Sequence, residues 1–206
     1  MTTANNKLYE ITKTDIKKAG EVLVTAFEYD PVWEQILKGC SFAKRCAWFE
    51  SPIRYCMKYG HVMATSTDIE GVIGWLPCIY SEMTYKRMLK SGASRSGHKA
   101  GFSPMFRMLP LRVFGEHRNK HMKGLSYIYV MIVGVSPEHQ GQGFGGKLLK
   151  QLINESQQSN LPIYLETSTK NNKDMYNHLG FKTLDEVHLP KFDFPQWELV
   201  REPNSM

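Results

Sequence analysis

The sequence predicts a mixed α/β fold, and three stretches carry that prediction. Residues 126–135 (SYIYVMIVGV) are β-branched and aromatic and apolar on both faces, which marks a central strand. Phe144–Glu155 follows with Phe144, Leu148, Leu149, Leu152 and Ile153 at helical spacing. Pro162–Thr167 (PIYLET) reads as the next buried strand. The order strand, loop, helix, strand, helix, strand, strand implies a mixed sheet with helices on both faces.

Earlier elements follow the same rules. Leu8–Ile11 reads as a short strand. Thr14–Phe27 reads as an amphipathic helix with Ile16, Ala19, Val22, Leu23 and Phe27 on one face, broken by Asp30-Pro31. Val32–Leu37 begins another helical turn, and Phe42–Lys58 is a helix that Pro52 should kink or break. His61–Thr65 and Gly71–Leu76 form a hairpin around Asp68. Residues 80–124 carry helical pieces (Met83–Leu89, Met105–Glu116) broken by Ser, Gly and Pro, and read as an insertion covering one end of the sheet. Asn172–Leu179 is a short helix stopped by Gly180, and Phe181–Val187 and Gln196–Val200 close the sheet as an antiparallel pair.

A length of 206 residues favours one domain, 1–206. The first fifteen residues hold no apolar leader, and the run from Tyr127 to Val135 is too short to cross a bilayer. The expectation is a soluble cytoplasmic protein, a monomer or homodimer, with no membrane partner. The cysteines (Cys40, Cys46, Cys56, Cys78) form no C-x-x-C pair and read as reduced, mostly buried thiols. His117 and His121 stand at a spacing zinc can use, but no glutamate follows His117 and no cysteine pair accompanies them, so no metal is expected.

The net charge of +6 is uneven. Between Ser81 and Lys123 ten Lys/Arg face two acids, a local +8 that leaves the rest of the chain at −2. Such a stretch suits a polyanionic cofactor or nucleic acid. Aromatics within it are sparse (Tyr85, Phe102, Phe106, Phe114), which argues against nucleic acid.

The segment from Val135 to Lys147 (VSPEHQGQGFGGK) lies between the central strand and a helix. Glycines there let backbone N–H groups approach a phosphate, and the helix start adds its positive dipole end. Gly141-x4-Gly146-Lys147 matches most of a P-loop, but Leu148 stands where the magnesium ligand belongs. Gly141, Gly143 and Gly146 also fit a dinucleotide fingerprint, with Glu166 twenty residues beyond Gly146, yet five residues separate strand and turn. Gln140-x-x-Gly143-x-Gly145, preceded by Val135-x-Pro137, resembles the acetyl-CoA signature of the GNAT (Gcn5-related N-acetyltransferase) superfamily. Asn172, Tyr176 four residues on, and Gly180-Phe181 resemble its second motif. The run from Tyr164 to Ser168 (YLETS), Pro195-x-Trp197, Arg201, and residues 26–31 (AFEYDP) look like the puromycin N-acetyltransferase-like branch. Leu125-Ser126-Tyr127 departs from the His-Trp-Tyr run frequent there.

The resemblance implies a mostly antiparallel sheet splayed at the acetyl-CoA site; residues 80–124, from their own pattern, read as a basic helical insertion covering the acceptor side. It implies direct transfer of acetyl from acetyl-CoA to an amine, of a small molecule or alternatively of a protein or peptide. The backbone of Met131, Val133, Gly134 and Val135 would bind pantetheine. Gln140, Gly141, Gln142, Gly143, Phe144, Gly145 and Gly146 would hold the pyrophosphate, Asn172 would touch the pantetheine arm, and Tyr176 would act as general acid. Freeing the lone pair of an alkylammonium at pH 7 costs roughly 4–5 kcal/mol, so a base matters. Glu28, Asp30 and Glu166 are the candidates, with water-mediated proton removal left open. A basic insertion beside the acceptor would repel polyamines, and no acidic cluster is evident along the chain.

Overall fold

The computed structural model describes residues 7–188 and 194–204. Seven strands form one sheet: β1 (Tyr9–Glu10), β2 (His61–Ala64), β3 (Gly71–Pro77), β4 (Ile128–Val135), β5 (Ile163–Thr167), β6 (Lys182–His188) and β7 (Pro195–Arg201), in the order β1-β2-β3-β4-β5-β7-β6. Every neighbouring pair is antiparallel except β4 and β5, which run parallel.

The β4–β5 pairing stops early. Ile128 sits opposite Ile163 and Tyr129 opposite Tyr164, and beyond that vertex the strands are unpaired with each other. The phase of the β3–β4 ladder shows what the gap exposes. Ser136 N–H donates to Glu70 O at 2.9 Å, so alternate residues Ile132 and Gly134 turn their polar groups to β3. Val133 and Val135 therefore turn theirs into the gap. Met131 is an extra residue where the register shifts opposite Gly74/Trp75, a bulge beside the vertex.

Two cores flank the sheet. On one face, α1 (Ile16–Ala26), α2 (Pro31–Ile36) and α3 (Phe42–Tyr59) bury Ile16, Leu23, Ile36, Phe49 and Ile53 over Val72, Tyr129 and Tyr164. On the other, α8 (Phe144–Ser159) and α9 (Lys170–His178) bury Leu148, Leu149, Leu152 and Tyr176 over Ile73, Val130 and Leu165. The helix α3 continues through Pro52 without the break that is one of the two expectations there. Burial of Phe49, Ile53, Tyr55 and Cys56 on both sides of the proline outweighs the missing donor. Among the cysteines, Cys46 and Cys56 are buried, Cys40 and Cys78 are half-buried, and all four are free.

Residues 80–124 fold into α4 (Tyr85–Ser91), α5 (Ala93–Ala100), α6 (Phe102–Arg107) and α7 (Arg112–His121). The first three pack on α3 and α2 instead of on the sheet. The helix α7 reaches the sheet, with Arg118 and His121 hydrogen-bonded to Glu166 and Glu198. No described helix is long and apolar enough to cross a membrane.

Gly134 serves the packing of α1 on the sheet. A Cβ there would lie 2.9 Å from Ala26 Cβ and 3.1 Å from Leu23 Cδ2, so its bare face lets α1 rest on β4. Gly134→Val should lower stability by about 1–3 kcal/mol through overpacking, measured by thermal denaturation. An unchanged melting temperature would contradict this packing.

Candidate functional site

The turn after β4 is assembled from its own polar groups. Gln140 Nε2 donates to Val135 O at 3.0 Å, and Gln142 Nε2 donates to Glu138 O at 2.9 Å. Both side chains brace the loop on itself, which leaves its backbone N–H groups free of them. Gly143 lies at φ +84° as the N-cap of α8, a left-handed position that other residues adopt only with strain. Lys147 N–H closes the first helical turn on Gly143 O. The N–H groups of Phe144, Gly145 and Gly146 thus have no intrahelical acceptor and face the dipole's positive end.

The surroundings suit an anion. A groove of about 640 Å³ runs from Gly143 and Gly146 along α8 past Lys147, Lys150 and Lys7. Lys147 Nζ also donates to Thr65 O at 2.7 Å, which fixes it beside the turn. A Cβ at Gly146 would meet nothing within 4 Å. Free N–H groups, a bare helix start and the unpaired edge of Val133 and Val135 together fit a pyrophosphate followed by an amide-bearing arm. Val135 offers its N–H alone, because Gln140 holds its carbonyl.

The helix α9 starts two residues before the expected Asn172. Thr169 caps it, accepting from Asn172 N–H at 3.4 Å. Asn172 is therefore not the cap, and its amide is half-buried one turn before Tyr176. Tyr176 is 5% exposed and packs edge-on to Phe181, and burial pushes its phenol above the ordinary range. Arg201 Nε donates to Leu179 O at 2.8 Å and anchors the end of α9 to β7.

The three base candidates separate in space. Glu28 is exposed. Asp30 caps α2, accepting from Val32 N–H at 3.0 Å and Trp33 N–H at 3.2 Å, while its other oxygen accepts from Ser168 Oγ at 3.4 Å. Burial raises its pKa, with the two backbone bonds opposing. Glu166 lies at the vertex, on the face opposite α8 and α9. Arg118 Nη1 donates to its Oε1 at 3.0 Å and Tyr129 Oη to its Oε2 at 2.8 Å. Burial raises the Glu166 pKa, and the Arg118 charge pulls against that rise.

Sequence reasoning missed the partners around Glu166. Arg118, from the basic segment, is 6% exposed and stacks over the Tyr129 ring at 4.6 Å. Glu198 of β7 stands on the rung beside Glu166, fully buried, and Asp185 of β6 stands beside Glu198. An acidic row therefore exists, contrary to the reading of the linear chain, and α7 covers it. Arg118 Nε, Tyr164 Oη and Glu198 Oε1 are buried without a hydrogen-bond partner among the described residues. Three such groups on the face that α7 covers make this a strongly polar part of the interior.

Comparisons with known proteins point one way. A family model described as acetyltransferase (GNAT) domain matches residues 111–183. An uncharacterised N-acetyltransferase of Schizosaccharomyces pombe is 28% identical over 207 residues, covering 93% of this chain and 81% of the relative. A solved Corynebacterium glutamicum structure, described as histone acetyltransferase HPA2 and related acetyltransferase, superposes with a TM-score of 0.65 at 20% identity, over 97% of each chain. Arylalkylamine N-acetyltransferase 2 from Aedes aegypti superposes with a TM-score of 0.62 at 12% identity, over 96% of this chain and 99% of its own.

Proposed function

Because the chain belongs to the GNAT superfamily of acetyltransferases, we propose that it transfers acetyl from acetyl-CoA to the amine of a small molecule, by direct attack in a ternary complex. The observation that carries this is the β4 edge, which opens beyond Tyr129 and leads to the bare start of α8.

Acetyl-CoA supplies a thioester whose acyl carbon an amine can attack. Phe144, Gly145 and Gly146 hold its pyrophosphate by their N–H groups, and Val133 and Val135 hold its arm. Asn172 adds its amide from α9. Tyr176 donates a hydrogen bond to the sulfur as charge builds there. A phenol raised above its usual pKa is a weaker acid than a thiol of about 8.5, so it ends the reaction still protonated. Its contribution is accordingly modest. Tyr176→Phe should lower kcat by roughly 10–100-fold, below the upper range of general acid–base effects, with the Kd for acetyl-CoA unchanged. An unchanged kcat would remove Tyr176 from the chemistry.

The amine enters from the opposite face. Glu166 is the proton acceptor, through Tyr129: the phenol passes its proton to Glu166 Oε2 and takes one from the ammonium. Arg118 holds Glu166 in place. Phe27 and Trp33, which bracket Asp30 in sequence, are half-buried and pack on the buried Phe49 with ring centroids 5.1–6.0 Å apart, an apolar surface that suits an aromatic or alkyl amine. Arg118 turns inward to Glu166 and so takes one positive charge of the basic segment away from the acceptor side. The related mosquito structure carries the name of arylalkylamines, which agrees with this chemistry.

The test is an acceptor panel of arylalkylamines, polyamines and lysine peptides, with acetyl-CoA as donor and product mass as readout. Acetylation of small amines supports the reading. Acetylation of the peptides alone would replace it with a protein acetyltransferase.

A further inference from the structure

His117 and His121 are neither exposed nor isolated. They occupy successive turns of α7, with ring centroids 5.9 Å apart. The fold lays them over β6, where Asp185 Oδ2 lies 3.4 Å from His117 Nδ1 and 3.8 Å from His121 Nε2. All three ligand atoms fall within 4.8 Å of one another. Bonds of about 2.0–2.2 Å in tetrahedral array put ligand atoms about 3.4 Å apart, so the set stands close to zinc geometry.

The next shell is built as well. Asp185 Oδ1 accepts from Glu186 N–H at 2.8 Å, which aims Oδ2 at the histidines. His121 Nδ1 lies 2.6 Å from Oε2 of the fully buried Glu198. An ion on Nε2 requires Nδ1 to carry the proton, and that proton then bonds Glu198: the carboxylate–histidine–metal arrangement. His117 Nδ1 has no hydrogen-bond partner among the described residues. Two neighbouring carboxylates, Asp185 and Glu198, both meet imidazoles here, and a dication would offset both charges.

We propose that His117, His121 and Asp185 bind one zinc ion that pins α7 to β6. Two imidazoles and one carboxylate are a ligand set zinc accepts, with water completing the tetrahedron. Its task is structural: it holds α7, and with it Arg118, at the vertex. The proposal does not depend on the acetyl-transfer reading.

The test uses the full chain, stripped with a chelator, then titrated with ZnCl₂ by calorimetry and CoCl₂ by visible absorption. One ion per chain is expected, with tetrahedral cobalt bands and a raised melting temperature. Glu198→Gln should weaken binding by about 10–100-fold, as an outer-shell loss does. His117→Ala and the isosteric Asp185→Asn should weaken it further still, and Asp185→Asn changes no packing that could unfold the chain. The absence of saturable binding, or undiminished binding in Asp185→Asn, would reduce the cluster to ion pairs and overturn the proposal.

Discussion

Gly146→Asp should raise the Kd for acetyl-CoA by at least about 100-fold while leaving the fold intact. A Cβ at Gly146 meets nothing within 4 Å, so the side chain fits. An acid in the first turn of a helix is mildly stabilising, by about 0.3–1 kcal/mol. Against a pyrophosphate the same carboxylate is costly. Two like charges about 4 Å apart at a protein surface repel by about 4 kcal/mol, and each 1.4 kcal/mol is a factor of ten. Calorimetry with circular dichroism as a fold control checks both halves. A folded variant that binds acetyl-CoA normally would mean the phosphate lies elsewhere.

Glu166→Gln should cut kcat by about 10²–10⁴-fold with acetyl-CoA affinity unchanged, the range of a lost general base. The pH profile discriminates base from scaffold. Burial places the Glu166 carboxyl above the ordinary range, and a base works only when deprotonated. The wild-type rate should therefore climb with pH through that titration, and the variant should lose this acidic limb. If the limb persists, the proton acceptor is another group, with Asp30 the next to test. Arg118→Met asks a different question. It leaves Glu166 buried without its cation, and breaking such a pair costs about 3–5 kcal/mol, so a lower melting temperature should accompany any loss of rate.

The two halves of the site differ in how far the sequence reveals them. The phosphate side is local: strand, proline, glycines and helix follow one another from Ile128 to Ser159, and each leaves a pattern in composition or spacing. Even there, Gln140 and Gln142 turned out to brace the loop, because their hydrogen bonds depend on a backbone path that spacing does not give. The acceptor side is non-local. Glu166 meets Arg118 across 48 residues, and Glu198 meets His121 across 77. A charge tally made the segment from Ser81 to Lys123 a basic surface, yet it delivers Arg118 and His121 to the buried Glu166 and Glu198, and His117 to Asp185. The helices of that segment were hard to read for another reason. Those of seven, eight and six residues, parted by Gly92 and Gly101, are too short for a clear periodicity.

The proposed acetyl transfer requires that the glycine turn and the open edge of β4 hold coenzyme A. Calorimetric titration of the full chain with acetyl-CoA, beside NADH and ATP, tests it most directly. One acetyl-CoA should bind per chain, with no comparable binding of the other two. Absence of acetyl-CoA binding, or tighter binding of NADH or ATP, would contradict it.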